Sequence, residues 1–177
     1  MYPFARMASV LWKARRAPAA QFTDTTTCTF YAHPWDMDQF MEMNNGRHLT
    51  LYDLGRFDLA LKCGLWRVLK EQKWGLVVAG SSVRFRKRIF MFQKVTMRTQ
   101  LIGMDHRWFY IQQSMEVRGE PCSTALFRTG ITEKGRSILT ERVSKAMGED
   151  GFSLEPPKWV QDWIDADNTR PWPPEYL

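Results

Sequence analysis

Between residues 35 and 47 the chain sets Asp36, Asp38, Glu42, Asn44, Asn45, Gly46 and Arg47 close together. A loop carboxylate can attack an acyl carbon or take a proton from water. Backbone N–H groups at a helix start, aimed at one point, can hold the oxyanion that such an attack creates. Asn44 and Asn45 are good helix N-caps, and residues 46–62, rich in Leu, Ala, Arg and Asp, read as helix until Cys63-Gly64 stops it. Asp38 lies a few residues upstream. A loop folding back over the helix start would put its carboxylate and the Asn45 and Gly46 amides on opposite sides of one carbonyl carbon. The plainer roles are that Asp38 caps a turn and the asparagines cap the helix. For the asparagines the two readings coexist, because a capped helix start still presents its amides.

Other reactive residues are scattered. Asp53 with Arg56 and Asp58 with Lys62 have the spacing of helical ion pairs, although a helix carboxylate could also serve as the catalytic one. His33, His48 and His106 offer no i, i+4 pair to share a metal, and Cys28, Cys63 and Cys122 show neither CxxC spacing nor an even count. No metal site and no disulfide framework are expected, and a reducing cytoplasm fits best. A formal net charge of +6 attracts anions, whether polyphosphate cofactors, nucleic acids or acidic membranes. Nucleic acid is the weakest of these, for want of any reading helix or RNA-binding strand motif. Arg84, Arg86 and Arg88 would line one face of a strand as donors for phosphates, or form an ordinary solvated face.

The elements that must position these residues follow from periodicity. Helix 46–62 carries apolar side chains over far more than one stripe, as in a helix enclosed by other structure. A short helix over 65–73 follows. Residues 76–88, 94–101, 108–117 and 122–131 then read as strands with half-buried alternation: Val95, Met97, Thr99 and Leu101 share one face, and Phe109, Ile111, Gln113, Met115 and Val117 another. With a strand over 25–31 the order is strand, loop, buried helix, strands. This is an α+β hotdog fold, a long central helix wrapped by an antiparallel β-sheet. Phe40, Met41, Met43, Phe90, Met91 and Phe92 could line an acyl tunnel or simply fill the core.

Residues 35–47 resemble the D-x-D-x-x-x-H-x-N-N-x-R signature of hotdog acyl-CoA thioesterases related to 4-hydroxybenzoyl-CoA thioesterase. Residues 52–57 and 79–86 also resemble that family's central helix and second strand, and the likeness covers roughly residues 25–132. It implies acyl-CoA hydrolysis with Asp38 as nucleophile or general base. Asn45 and Gly46 would polarise the carbonyl, with Asn44, Arg84, Arg86 and Arg88 binding substrate. No cofactor is implied beyond coenzyme A as part of the substrate, and the assembly expected is a homodimer or higher even oligomer. Two positions depart from the signature: Glu42 stands where histidine is usual and Met41 where glycine is common. Glu42 either accepts hydrogen bonds structurally or raises the pKa of Asp38. The departures leave open a non-catalytic acyl-CoA-binding protein.

Three regions are expected: a basic N-terminal arm over 1–22, the hotdog domain over 23–147 and a Pro/Trp-rich tail over 148–177 that lies against the domain or a neighbouring subunit. No apolar stretch approaches the roughly 18 residues of a membrane span, and no signal peptide is expected. With Arg6, Lys13, Arg15 and Arg16 among Phe4, Val10, Leu11 and Trp12, the arm could form a short basic amphipathic element in weak contact with a membrane surface; the plainer reading is a floppy terminus.

Overall fold

A computed structural model describes residues 2–171, 173 and 174; Met1, Trp172 and residues 175–177 of the expected tail lie outside it. Its elements are α1 (Phe4–Ala14), β1 (Thr26–Tyr31), a 3-10 turn (Pro34–Asp36), α2 (Asn45–Lys62), α3 (Leu65–Gln72), β2 (Gly75–Phe85), β3 (Lys94–Met104), β4 (Phe109–Val117), β5 (Glu120–Glu133), β6 (Arg136–Ser137), α4 (Thr140–Met147) and α5 (Lys158–Asn168). The sheet runs β1-β3-β4-β5-β2, every neighbour pair antiparallel, with β6 on β5. Helix α2 fills the concave face, which is the hotdog arrangement.

Alternation explains why the sheet holds that helix. Val95, Met97, Thr99 and Leu101 of β3, and Phe109, Gln113, Met115 and Val117 of β4, are all buried, so one face of each strand meets Leu51, Tyr52 and Leu54 of α2 or the apolar cluster beside them. Polar groups threaded through this core are paired. Arg56 bonds Asp53, stacks 3.8 Å over the Phe127 ring and donates to Gln113 Oε1 at 2.7 Å. Gln113 Nε2 in turn donates to the Tyr52 carbonyl at 3.0 Å and to Thr99 Oγ1 at 2.8 Å. Gly55 of α2 lets the helix approach there, since a methyl group at that position would come within 2.5 Å of Gln113 Nε2 and Met97 Sδ.

Several expectations change. Residues of the supposed arm form α1, whose Val10 and Ala14 are buried. The tail carries the helix α5, which seats Val160 and Ile164 on Tyr110 and Leu126, on the sheet face away from α2, and Arg128 pairs with Asp167 at 2.8 Å. β2 ends at Phe85, and most of it is exposed, including Val77 and Val78, because it is a terminal strand with one open edge. Strand β5 starts two residues before the expected 122, so Pro121 lies within it. The turn is Arg118-Gly119, both with positive φ. No helix among the described residues is long and apolar enough to cross a membrane.

Candidate active site

The loop from β1 to α2 is built around Asp36, which is fully buried. Its carboxylate accepts from His33 N–H at 2.8 Å, Arg47 Nε at 2.6 Å and both terminal nitrogens of Arg6, at 3.1 and 2.5 Å. Desolvation alone would raise its pKa; the hydrogen bonds from Arg6, His33 and Arg47 outweigh it and hold the carboxyl below its ordinary value. Asp36 thus ties together the end of β1, the first turn of α2 and helix α1.

Beyond it the chain makes a small hairpin. Met37 and Met43 form a β-bridge, Asp38 N–H donates to the Glu42 carbonyl at 2.8 Å, and Met41 turns the corner at φ 59°. The left-handed corner explains why glycine suits that position. Because Asp38 and Glu42 are directly opposed in the hairpin, their side chains leave on the same face. Asp38 Oδ1 accepts from Phe40 N–H at 2.8 Å, a local turn-capping bond. The returning limb pairs with the segment after β2, through Met43 N–H to the Ile89 carbonyl at 2.8 Å and a Glu42–Phe90 bridge.

Asn44 caps α2: its Oδ1 accepts from Gly46 N–H at 2.9 Å and Arg47 N–H at 3.3 Å. The Gly46 amide expected to face a substrate is therefore already engaged. Asn45 N–H has no acceptor among the described residues. Asn45 opens onto a cleft of about 130 Å³ lined also by Glu42, His48, Phe85, Arg86 and Arg88. A larger open groove, about 960 Å³, lies on the other side of Asn44 against Arg6, Trp35 and Arg47. Its one carboxylate, Asp36, is saturated with donors, so the smaller cleft is the better chemical candidate.

The expected row of three arginines is broken. Arg84 is exposed on β2, whereas Arg86 and Lys87 N–H both donate to the Cys122 carbonyl, at 2.8 and 3.0 Å, which ends the alternation. Arg86 and Arg88 then border the cleft. Arg88 Nε lies 2.6 Å from Glu42 Oε2 without hydrogen-bond alignment, so that buried oxygen has no donor. Glu42 thus forms an ion pair. Asp53 with Arg56 and Asp58 with Lys62 are helical ion pairs, as their spacing suggests. Of the six residues expected to line a tunnel or fill the core, Met43 is buried in the core and Met91 is half-buried. Phe40, Met41, Phe90 and Phe92 are exposed.

His48 was not singled out by its sequence surroundings. One turn into α2, it is buried; its Nδ1 lies 3.0 Å from Ser123 Oγ, which is 2.8 Å from the Tyr52 hydroxyl. Burial lowers its pKa to about 4, so the ring is neutral near neutral pH. Tyr52, four residues on, marks the same helix face; Ser123, on β5, gave no sign of its part.

Residues 32–174 match the family described as the thioesterase-like superfamily. Protein THEM6 of Drosophila melanogaster is 30% identical over 145 residues, spanning 81% of this chain and 74% of that protein. The THEM6 of Xenopus laevis is 30% identical over 111 residues, of which the match spans 62% of this chain and about half, 54%, of the relative. The YbaW probable thioesterase of Escherichia coli superposes with a TM-score of 0.64 at 14% identity, covering 70% of this chain and 96% of that one. A hypothetical protein of Staphylococcus aureus in complex with CoA gives 0.61 at 13%, covering 80% and 94%. These two likenesses concern the fold. The family match over most of the length carries more: the chain belongs to the thioesterase-like superfamily, in its hotdog fold.

Proposed function

We propose that the protein hydrolyses an acyl-CoA thioester to the free acid and CoA. The supporting observation is the hairpin that opposes Asp38 and Glu42 and runs directly into the start of α2, beside a cleft where Asn45 N–H is uncommitted. Asp38 serves as nucleophile or as base. As base it takes a proton from water while the water oxygen adds to the carbonyl carbon; the C–S bond then breaks and the departing thiolate is protonated. Asn45 N–H stabilises the carbonyl oxygen, and Arg86 and Arg88 meet the CoA phosphates. A fold relative crystallised with CoA is consistent with that ligand.

The site is shared between two copies. The β2 edge is open, with Val77 at 37% and Val78 at 48% exposure, and the cleft wall at Phe85–Arg88 continues from it. Pairing of β2 with β2 of a second copy would cover the valines and close the cleft, giving a homodimer. Helix α1 and the two residues after it also present Phe4, Trp12, Lys13, Arg15 and Arg16 to solvent, a surface for weak contact with an anionic membrane. The cysteines favour a reducing cytoplasm.

Thiol release from short, long and aromatic acyl-CoAs, with wild type and Asp38→Asn, tests the proposal. Turnover that disappears in the variant supports both activity and residue. Turnover that survives redirects the catalytic role to Glu42. The bond from Phe40 N–H to Asp38 and the Glu42–Arg88 pair favour one alternative, a binder of acyl-CoA without turnover. Tight binding without thiol release would establish it.

A further inference from the structure

Resting on the thioesterase reading, we infer that His48 is a second oxyanion donor of this site, presenting a neutral Nε2–H to the thioester carbonyl oxygen beside Asn45 N–H. The argument begins with the phenol of Tyr52. That group is fully buried, and Ser123 Oγ, at 2.8 Å, is its hydrogen-bond partner. A buried O–H without an acceptor is costly, so Tyr52 donates to Ser123. The Ser123 proton then has His48 Nδ1, at 3.0 Å, as its acceptor. A neutral imidazole that accepts at Nδ1 carries its proton at Nε2. The three side chains therefore set a tautomer: Tyr52 to Ser123 to His48, leaving Nε2–H as the ring's remaining polar group. No acceptor for it exists among the described residues.

The direction follows from helix geometry. Side chains on a helix lean toward its N-terminus, so His48 leans back over the turn that begins at Asn45. Both residues line the same cleft, with Glu42, Arg86 and Arg88. The need for such a donor is equally concrete: the Gly46 amide is held by Asn44 Oδ1, which leaves one backbone N–H where tetrahedral intermediates are usually held by two donors. The facing ionisable groups are Glu42 and Arg88 from the two loops, Arg86 and Lys87 beyond β2, and Tyr52 on α2 itself. Burial keeps the imidazole uncharged among them, with its pKa lowered to about 4. A neutral donor stabilises a developing oxyanion without surrendering its proton.

Two measurements test the assignment. The first is the tautomer of 15N-labelled histidine in the wild-type protein by NMR at neutral pH: an Nε2–H ring at His48 is expected, and an Nδ1–H ring overturns the inference regardless of any kinetics. The second compares acyl-CoA turnover in His48→Ala, His48→Gln and Tyr52→Phe. His48→Ala is expected to lower kcat about 10²-fold with KM little changed, and His48→Gln, which keeps an N–H donor, to recover part of it. Tyr52→Phe, acting through Ser123 as a positioning change, lowers kcat about tenfold and makes the His48 tautomer mixed. Wild-type turnover undiminished in folded His48→Ala overturns the donor role and leaves the thioesterase reading standing. A wild type that turns over no acyl-CoA overturns both. Should His48→Ala fail to fold, an undiminished kcat in His48→Gln together with Tyr52→Phe overturns the inference.

Discussion

Arg6, on the first helix, holds both carboxylate oxygens of Asp36, thirty residues away, at 2.5 and 3.1 Å. The contact makes α1 part of the loop that carries Asp38. Arg6→Ala removes two of the donors to a fully buried carboxylate and leaves Arg47 and His33 N–H. The expected loss is about 2–3 kcal/mol of unfolding free energy by urea titration, below the value for a completely unpaired buried charge. Asp36→Asn in the same background should remove most of the difference, since the neutral amide no longer needs the guanidinium.

Acid should weaken the fold in two stages. Burial lowers the folded pKa of His48 to about 4 from the ordinary imidazole value of 6.5, so the unfolded chain binds the extra proton first. The stability linked to it is complete well above pH 6.5 and is lost as pH falls through 6.5 toward 4, by roughly 2–3 kcal/mol at pH 4.5. Asp36 acts lower: its folded pKa is depressed, and its contribution is lost as pH falls below the ordinary carboxylate value of 3.8 and through the folded one. Unfolding titrations of wild type and His48→Gln between pH 7 and 4.5 check the first stage. The variant should lack most of that slope.

Met41→Gly is expected to stabilise the protein by about 0.5–1 kcal/mol, because a side chain with a Cβ is strained at φ 59°. Met41 is 56% exposed, so little apolar contact is lost. A higher urea midpoint with an unchanged slope would be the signature. Equal or lower stability would mean that the Met41 side chain stabilises the hairpin by more than its corner costs.

Gly55→Ala should cost about 2–3 kcal/mol. The new methyl would be driven onto Gln113, Met97 and Thr99, and these are hydrogen-bonded or packed on both sides. Thermal unfolding of the variant, together with hydrogen exchange at the Gln113 side-chain amide, would show whether the core shifts as a unit.

How much of this was legible in the sequence differs element by element. The β3 face was readable because its inner side chains are buried and the outer ones meet water, so Val95, Met97 and Leu101 alternate with Lys94, Arg98 and Gln100. Helix α5 was not, because its packing surface is the outer face of the sheet, formed by Tyr110 and Leu126 from distant strands. Val160 and Ile164 at i, i+4 were its one local sign. The Asn44 cap was local and readable. Its cost, the engaged Gly46 amide, was not, since either outcome satisfies the same residue pattern. His48 stood apart as a lone histidine because the serine that fixes it lies 75 residues downstream.

If β2 forms the dimer contact, Val78→Lys should split it: sedimentation at micromolar concentration should show dimer for wild type and monomer for the variant. Thiol release should fall with the monomer fraction, because the second copy closes the cleft. A monomeric wild type with full turnover would remove both the contact and its role.

Helix α5 closes off one patch of the sheet. By seating Val160 and Ile164 on Tyr110 and Leu126, and fastening Asp167 to Arg128, residues 158–168 upholster the back of the sheet. Any partner that was to meet Tyr110 and Leu126 would first have to peel that helix away, so on this side it is α5, and not the sheet, that a neighbour would touch.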